Sequence, residues 1–383
     1  MTIIIIGSGI AGLYAAYLLK KSNIDFIILE KADRIGGRVL NADFHGQDIP
    51  LGAGIGRKDK DHLLLQLLKD LKIKINTGVG THTYGPGIHK QPSFSIYNKI
   101  KNAPAFSRMK FESFGKQMMG SKNYKDFVAA TGYSDYEKMD HIDVIQHYGM
   151  EDNMEPLNMI YIPWNELLEK LLKFIGEKHI RYNTEVVRLD GTTAYCKNKR
   201  KYVGDKVICA GTIMTLRKLF HNRIYREIAP QPFLRVYVKC SESSYESMKK
   251  HINGVTIVGT PLQKIIPMNP DNGLYMIAYS DNESAKVLHS YIKMHGKKKT
   301  HELLEAEIHD LFKIKIEIKD SVYRYWPVGT HYYKPLPKQY TSREEFIEKA
   351  QRPRDNVYVV GEVVALEQGW CEGALDSVHQ ILY

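Results

Sequence analysis

The sequence predicts an α/β fold in which a parallel sheet is interleaved with an α+β unit built on a mixed or antiparallel sheet. Three observations predict it. "MTIIIIGSGIAGLYAAYLLKK" (1–21) runs from an isoleucine-rich strand through a glycine turn into helix formers. "IDFIILEK" (24–31) follows as a second strand and carries the acid Glu30 near its end. Far downstream, "NVYVVGEVVALEQGWCEGALDSVHQIL" (356–382) repeats the order strand, glycine turn, helix.

The opening element has a rival reading, because Met1 to Leu19 carries no charge and could describe a signal or membrane anchor. A secretory signal starts with positive charge, whereas here four isoleucines begin at once and favour a strand. Gly7, Gly9 and Gly12 then fall in the spacing G-x-G-x-x-G. Between a strand and a helix that spacing is a phosphate-binding signature. Gly7 permits the tight turn, Gly9 lets backbone approach a pyrophosphate, and Gly12 lets helix and strand pack closely. Ser8, Ile10 and Ala11 complete the turn at the positive end of the helix. Glu30, 18 residues after Gly12 and followed by Lys31, stands where an acid binds a ribose hydroxyl.

Composition sets the outer bounds. At 383 residues the chain exceeds one mean-sized core, so two domains or one interleaved unit is expected. Hydrophobic residues at 43% and charged residues at 25% exclude a disordered chain. The net charge is +11, yet the basic residues are scattered apart from short runs such as "KNKRK" (197–201) and "GKKKT" (296–300). Solvated loops account for such runs, and no nucleic-acid partner is expected. Cys196, Cys209, Cys240 and Cys371 lie far apart, which suggests neither a disulfide framework nor a metal site and fits a cytoplasmic location.

Immediately after Glu30, "KADRIGGRV" (31–39) sets Gly36-Gly37 between Arg34 and Arg38. This stretch resembles the second signature of glutathione-reductase-like FAD oxidoreductases. "PLGAGIG" (50–56), "HIRYNTEVVRLDGTTAYCKNKRKYVGDKVICAG" (179–211) and the closing segment narrow the resemblance to the flavin-containing amine oxidases, which include monoamine, polyamine and L-amino-acid oxidases. The resemblance implies a Rossmann-type FAD-binding domain made of 1–60, 160–230 and 322–383. A substrate-binding domain then comprises 61–159 and 231–321, with helices around 123–140 and strands at "FLRVYVKC" (233–240), "KIIPMN" (264–269) and "LYMIAYSD" (274–281). Alternating apolar residues in those three segments suit a half-buried sheet.

The same resemblance assigns roles. Gly36, Gly37 and Arg38 return to the pyrophosphate, where arginine adds charge-assisted bonds. Gly52, Ala53, Gly54 and Ile55 run beside the isoalloxazine, although Pro50 stands where the family has an acid. Val186 pairs its backbone with adenine, and Ala210-Gly211 ends a strand of the flavin domain. Gly361 and Glu362 meet the ribityl and pyrophosphate region, and Gly373-Ala374 begin a helix aimed at the flavin.

Two aromatic rings flank the substrate in this family, and counting from Gly329 and Gly369 gives Tyr332 and Trp370, with Tyr333 as the rival to Tyr332. Trp326 would cover the flavin from the side. His331 stands where monoamine oxidases carry a flavin-bound cysteine, so noncovalent FAD is expected, with histidine attachment open. The family's strand lysine corresponds to Arg235, and Lys264 is its alternative. Arg57 and Arg108 are candidates for binding a substrate carboxylate.

The implied reaction takes a hydride equivalent from an amine C–H and gives an imine, then an aldehyde, with dioxygen leaving as hydrogen peroxide. A related desaturase, an L-amino-acid oxidase and a silent flavin-binding protein stay open as alternatives. The expected partners are a small amine and dioxygen, with no membrane anchor. The substrate and the oligomeric state are not legible.

Overall fold

The computed structural model describes residues 1–89, 93–102, 107–154 and 156–383. Strand β1 (Thr2–Ile6), helix α1 (Ile10–Lys21) and strand β2 (Asp25–Leu29) form the opening unit. They sit in a five-stranded parallel sheet ordered Val357–Val359, Lys206–Cys209, β1, β2, Ile180–Arg181. The isoleucines of β1 alternate between two cores. Ile3 and Ile5 pack with α1, whereas Ile4 and Ile6 pack with the helix Ile213–Phe220 on the other face. A strand buried on both faces reads as a continuous apolar run. Helix α1 is buried from Ile10 to Leu19, as an apolar helix enclosed by neighbours must be. Helix α2 (His62–Asp70) also packs on this core, through Leu64, Leu67 and Leu68.

The second sheet contains β3 (Ile228–Cys240), β4 (Lys264–Asn269), β5 (Leu274–Asp281) and β6 (Ile318–Tyr333). Its order is β6-β3-β5-β4, then Val255–Ile257 and His82–Tyr84, antiparallel except for the last pair. Leu234, Val236 and Val238 of β3 point into a core closed by the helical segment Asn282–Phe312, which breaks into two helices at Gly296 (φ +71°). Arg235 and Tyr237 point the opposite way, toward the 50s segment, where both donate to Pro50 O. Helices Phe111–Met119, Ser121–Thr131 and His141–His147 build a separate aromatic core around Phe111, Phe127 and Tyr136.

Strand β6 joins these layers. Its side chains alternate, so Tyr333 enters the core of the parallel sheet while Tyr332 faces the helical layer. The final helix, α3 (Cys371–Leu382), returns to pack beside α1. Among the described residues no helix is long and apolar enough to cross a membrane.

Candidate active site

The phosphate turn forms where β1 meets α1. Gly7 has φ +98°, and a Cβ on Gly12 would lie 2.0 Å from the Gly7 carbonyl oxygen. Any larger residue at 12 would therefore push the helix off the strand. The space around Gly9 is open to 4 Å, and α1 starts at Ile10 without a side-chain cap. The first intrahelical bond is Leu13 N–H to Gly9 O, so the N–H groups of Ile10, Ala11 and Gly12 remain free for an anion.

The second glycine turn stacks on the first. Gly36 N–H donates to Ser8 O at 2.8 Å, and a Cβ on Gly37 would meet Gly9 Cα at 3.1 Å. Glu30 receives Ser8 N–H and Ser8 Oγ, both at 2.7 Å, and Ala32 N–H at 2.8 Å. Lys31 is exposed beside it. Thr184 N–H donates to Glu30 O, which brings Val186 against Leu29 and Cys209 at the same end of the sheet. Ala210 N–H donates to Ile6 O, and a Cβ on Gly7 would meet Ala210 O at 3.1 Å; Gly211 packs on Thr215. Gly361, at φ +112°, sits across from Ala11 and donates its N–H to Ser377 Oγ. Four segments distant in sequence thus converge on an open, donor-lined cradle that fits the pyrophosphate of a dinucleotide.

The buried carboxylate of Glu362, next to Gly361 at the cradle, is engaged within the protein by both oxygens. Oε1 accepts the backbone N–H of His331 at 2.8 Å and that of Gly369 at 3.1 Å. Oε2 accepts Arg38 Nη1 at 2.8 Å and His331 Nδ1 at 2.6 Å. Burial pushes this carboxyl up, but His331 and Arg38 outweigh it and hold it well below the usual range. His331 Nε2 accepts Ile213 N–H at 3.1 Å. That fixes a neutral ring, protonated on Nδ1 and kept neutral by burial. With both nitrogens engaged, His331 has no atom left to attach a flavin.

The 50–57 segment lies on Arg38 and on β3. A Cβ on Gly52 would be 1.7 Å from Arg38 O, so this glycine answers a backbone approach within the protein. Ala53 N–H donates to Arg38 O, Gly54 O accepts Trp164 Nε1, and Ile55 begins the short strand Ile55–Arg57. Trp326 donates Nε1 to Leu51 O at 2.7 Å. Pro50, the departure from the family pattern, offers its carbonyl to Arg235 Nη1 at 2.7 Å and to the Tyr237 hydroxyl. Arg235 is 7% exposed, lies 4.6 Å from the Tyr279 ring centroid and has no carboxylate partner among the described residues. Its Nη2 is 3.2 Å from where a Gly54 Cβ would be.

Lys264 is buried on β4, its Nζ 3.2 Å from the Tyr133 ring centroid. The Tyr133 and Tyr279 rings, 5.8 Å apart, separate it from Arg235. Of the two, Arg235 is the one beside Gly54.

The remaining candidates divide clearly. Tyr333 is fully buried, donates its hydroxyl to Ala365 O and packs edge-on against Phe346, so it is a core residue. Tyr332 is half-buried and packs against the aromatic core of the helical layer. Trp370 is half-buried at the start of α3, with the Arg57 guanidinium 4.1 Å from its ring centroid. Arg57 is held by Asp61 at 2.7 Å, Asp152 at 3.3 Å and Glu367, and Arg108 by Asp140 and Asp143. All three guanidinium nitrogens of Arg57 are committed to carboxylates of the chain, whereas Arg108 commits only its Nη1. Sequence reasoning missed the role of Glu372, whose carboxylate caps α2 by accepting Leu63 and Leu64 N–H at 2.8 and 2.9 Å. It also missed Asp135, which no motif marks.

Comparison with known proteins gives two profile matches. That of the NAD(P)-binding Rossmann-like domain covers residues 5–71, and that of the flavin-containing amine oxidoreductases covers 99–378. An L-amino acid oxidase of Cerastes cerastes is 21% identical over 98% of this chain and 85% of its own length. An L-amino-acid oxidase of Demansia vestigiata is 21% identical over 98% of this chain and 84% of its own length. An uncharacterized protein of Acanthamoeba polyphaga mimivirus is 24% identical over 44% of this chain and 38% of its own length.

Proposed function

The chain belongs to the flavin-containing amine oxidoreductase family with FAD as its cofactor, and from that premise we propose that it oxidises an amine at the expense of dioxygen. One observation carries the reading. Glu362 bonds the backbone beside Tyr332 and the backbone beside Trp370 with a single oxygen, and Arg38 of the second glycine turn with the other. The two aromatic segments are thereby tied to each other and to the nucleotide cradle.

In this reading 1–60, 160–230 and 322–383 bind FAD, and 61–159 and 231–321 bind substrate. Free N–H groups of Ile10, Ala11 and Gly12 hold the pyrophosphate, Glu30 the ribose, and Arg38 the phosphate side of the cradle. Val186 backbone meets the adenine, and Trp326 covers the flavin edge. Bound FAD supplies the acceptor for a hydride equivalent leaving the C–H next to nitrogen, and dioxygen then receives both electrons. Tyr332 and Trp370 clasp the alkyl-amine carbon and hold that C–H in line while excluding water. Arg235, permanently charged, stabilises negative charge beside Gly54 without exchanging a proton. The imine formed hydrolyses to an aldehyde and a smaller amine, and hydrogen peroxide leaves. The engaged His331 ring supports noncovalent FAD.

Oxidation of an L-amino acid is the second reading, favoured by the two L-amino-acid oxidase relatives. Since Arg57 is committed and Arg235, beside Gly54, has no carboxylate partner among the described residues, the substrate carboxylate would fall to Arg235. Anaerobic bleaching of the bound flavin by a panel of amines, polyamines and L-amino acids tests both readings. Bleaching by amines supports the first and bleaching by amino acids alone the second. Bleaching by dithionite only would favour a different flavin chemistry or a silent protein.

A further inference from the structure

The basic run "KNKRK" (197–201) takes no part in the proposed reaction, yet the fold brings it to the nucleotide cradle. It forms the tip of a hairpin between the strands Thr193–Cys196 and Lys201–Val203. Val186 pairs with Cys196, and Lys197 N–H donates to Glu185 O at 2.8 Å. The tip therefore lies at the 184–186 end of this small sheet, away from the turn at Gly191. Thr184 N–H in turn donates to Glu30 O at 2.7 Å. Val186 packs with Leu29 and Cys209, the last residues of their strands in the parallel sheet. Ligands of such sheets bind outside the carboxyl ends of the strands. The basic tip stands beside the Glu30 side of the cradle.

The charge there is one-sided. Lys197, Lys199, Arg200 and Lys201 are all exposed, and the last three make no ion pair among the described residues. Glu185 meets Lys218 Nζ at 2.8 Å and Lys197 Nζ at 4.0 Å. Lys218, then Lys197 and Lys31, outweigh burial and hold this carboxyl below the ordinary glutamate range, which puts Lys31 in the same group. These cations outnumber the acids beside them, Glu185 and Asp33. The backbone of Lys199 adds a second observation. Its φ of +65° is a left-handed turn position that glycine or asparagine fills with less strain. A lysine there keeps charge at the tip where a neutral residue would relax the turn. Exposed and unpaired, these side chains act through their field, which reaches about 10 Å at 0.1 M salt.

From this placement we propose that the hairpin tip is a capture surface for the anionic dinucleotide. Lys199, Arg200 and Lys201 draw the FAD pyrophosphate toward the cradle and raise its association rate, and they take no part in holding it once bound. The inference goes beyond the amine-oxidase reading and rests only on FAD binding in the cradle. A cleft rimmed by one sign of charge concentrates the opposite ion before contact. Rim charges of this kind set the on-rate and its salt dependence, whereas contacts set the off-rate.

The test follows the change in flavin fluorescence as the full-length chain, stripped of its flavin, rebinds FAD in a stopped-flow mixer. In the unmodified protein the association rate should fall roughly tenfold between about 20 and about 500 mM salt. The variant K199Q/R200Q/K201Q should bind about fivefold more slowly at the lower salt, with a shallower salt dependence and an unchanged release rate. Charge reversal in K199E/R200E/K201E should slow binding further. An association rate that ignores salt in the unmodified protein overturns the proposal without any variant. A salt dependence that the glutamine variant keeps in full assigns the steering to the net charge of +11 and overturns it too. So does a change confined to the release rate, which would make the tip a contact. Failure to bind FAD at all would strike the cradle and this proposal with it. The amine-oxidase reading is tested separately, by bleaching of the oxidised flavin.

Discussion

Replacing Glu362 by glutamine turns one acceptor oxygen into a donor that faces Arg38 Nη1 and the His331 Nδ1–H. Breaking a buried charge pair in this way costs about 3 kcal/mol. We expect Glu362→Gln to lower the thermal midpoint and to purify with less FAD, since the cradle and both aromatic segments hang on the same side chain. The folded carboxyl titrates below the unfolded one, so its stabilisation is whole above the ordinary glutamate range and is lost on acidification. The gap in thermal midpoint between wild type and E362Q should therefore narrow as the pH is lowered. At Arg57 the expectation differs. Arg57→Lys keeps a charge among Asp61, Asp152 and Glu367 but gives up the planar fork that lies over Trp370. FAD should be retained while substrate-dependent flavin reduction slows by about tenfold, a loss of ~1.4 kcal/mol of transition-state stabilisation. Unchanged reduction kinetics would remove Trp370 from the substrate wall.

Among the elements, α3 does two things at once. Its first turn carries Trp370 as N-cap residue, and its Glu372 caps α2. Glu372→Ala should cost about 2 kcal/mol by orphaning two helix N–H groups, read as a lower urea midpoint. The capping could not be read from "GWCEGA", because its partner lies 308 residues earlier. The β1-α1-β2 unit was legible for the opposite reason. Strand, turn and helix are local there, and each glycine has a steric cause within a few residues. The choice between Tyr332 and Tyr333 needed the register of β6 against β3, which two irregularities in the pairing set and no spacing reveals. Gly52 reads as a flavin neighbour in the sequence, and the structure adds a cause no spacing reveals, the approach of Arg38 O.

At the scale of the whole molecule, the packing of the helical layer on the antiparallel sheet buries a charged cluster that neither would enclose alone. Lys264 comes from β4, Asp281 from the end of β5, and Asp135 from the loop after helix Ser121–Thr131. Its titration should leave a mark on global stability. Burial pushes the Lys264 ammonium down to about 7, with Asp135 and Asp281 opposing it, and pushes Asp135 up to about 7. Between the unfolded aspartate range and pH 7 the folded chain holds a proton on Asp135 that the unfolded chain has lost, so this contribution falls as pH rises. Above pH 7 the unfolded chain keeps a proton on Lys264 that the folded chain has lost, so the lysine's contribution rises with pH. The two slopes meet near pH 7 and give a shallow minimum. Urea midpoints across this pH range, taken as the difference between wild type and a Lys264→Met/Asp135→Asn double variant, should show that minimum. A flat difference would mean that both groups titrate as if exposed, and that the sheet and the helical layer leave the cluster open to water.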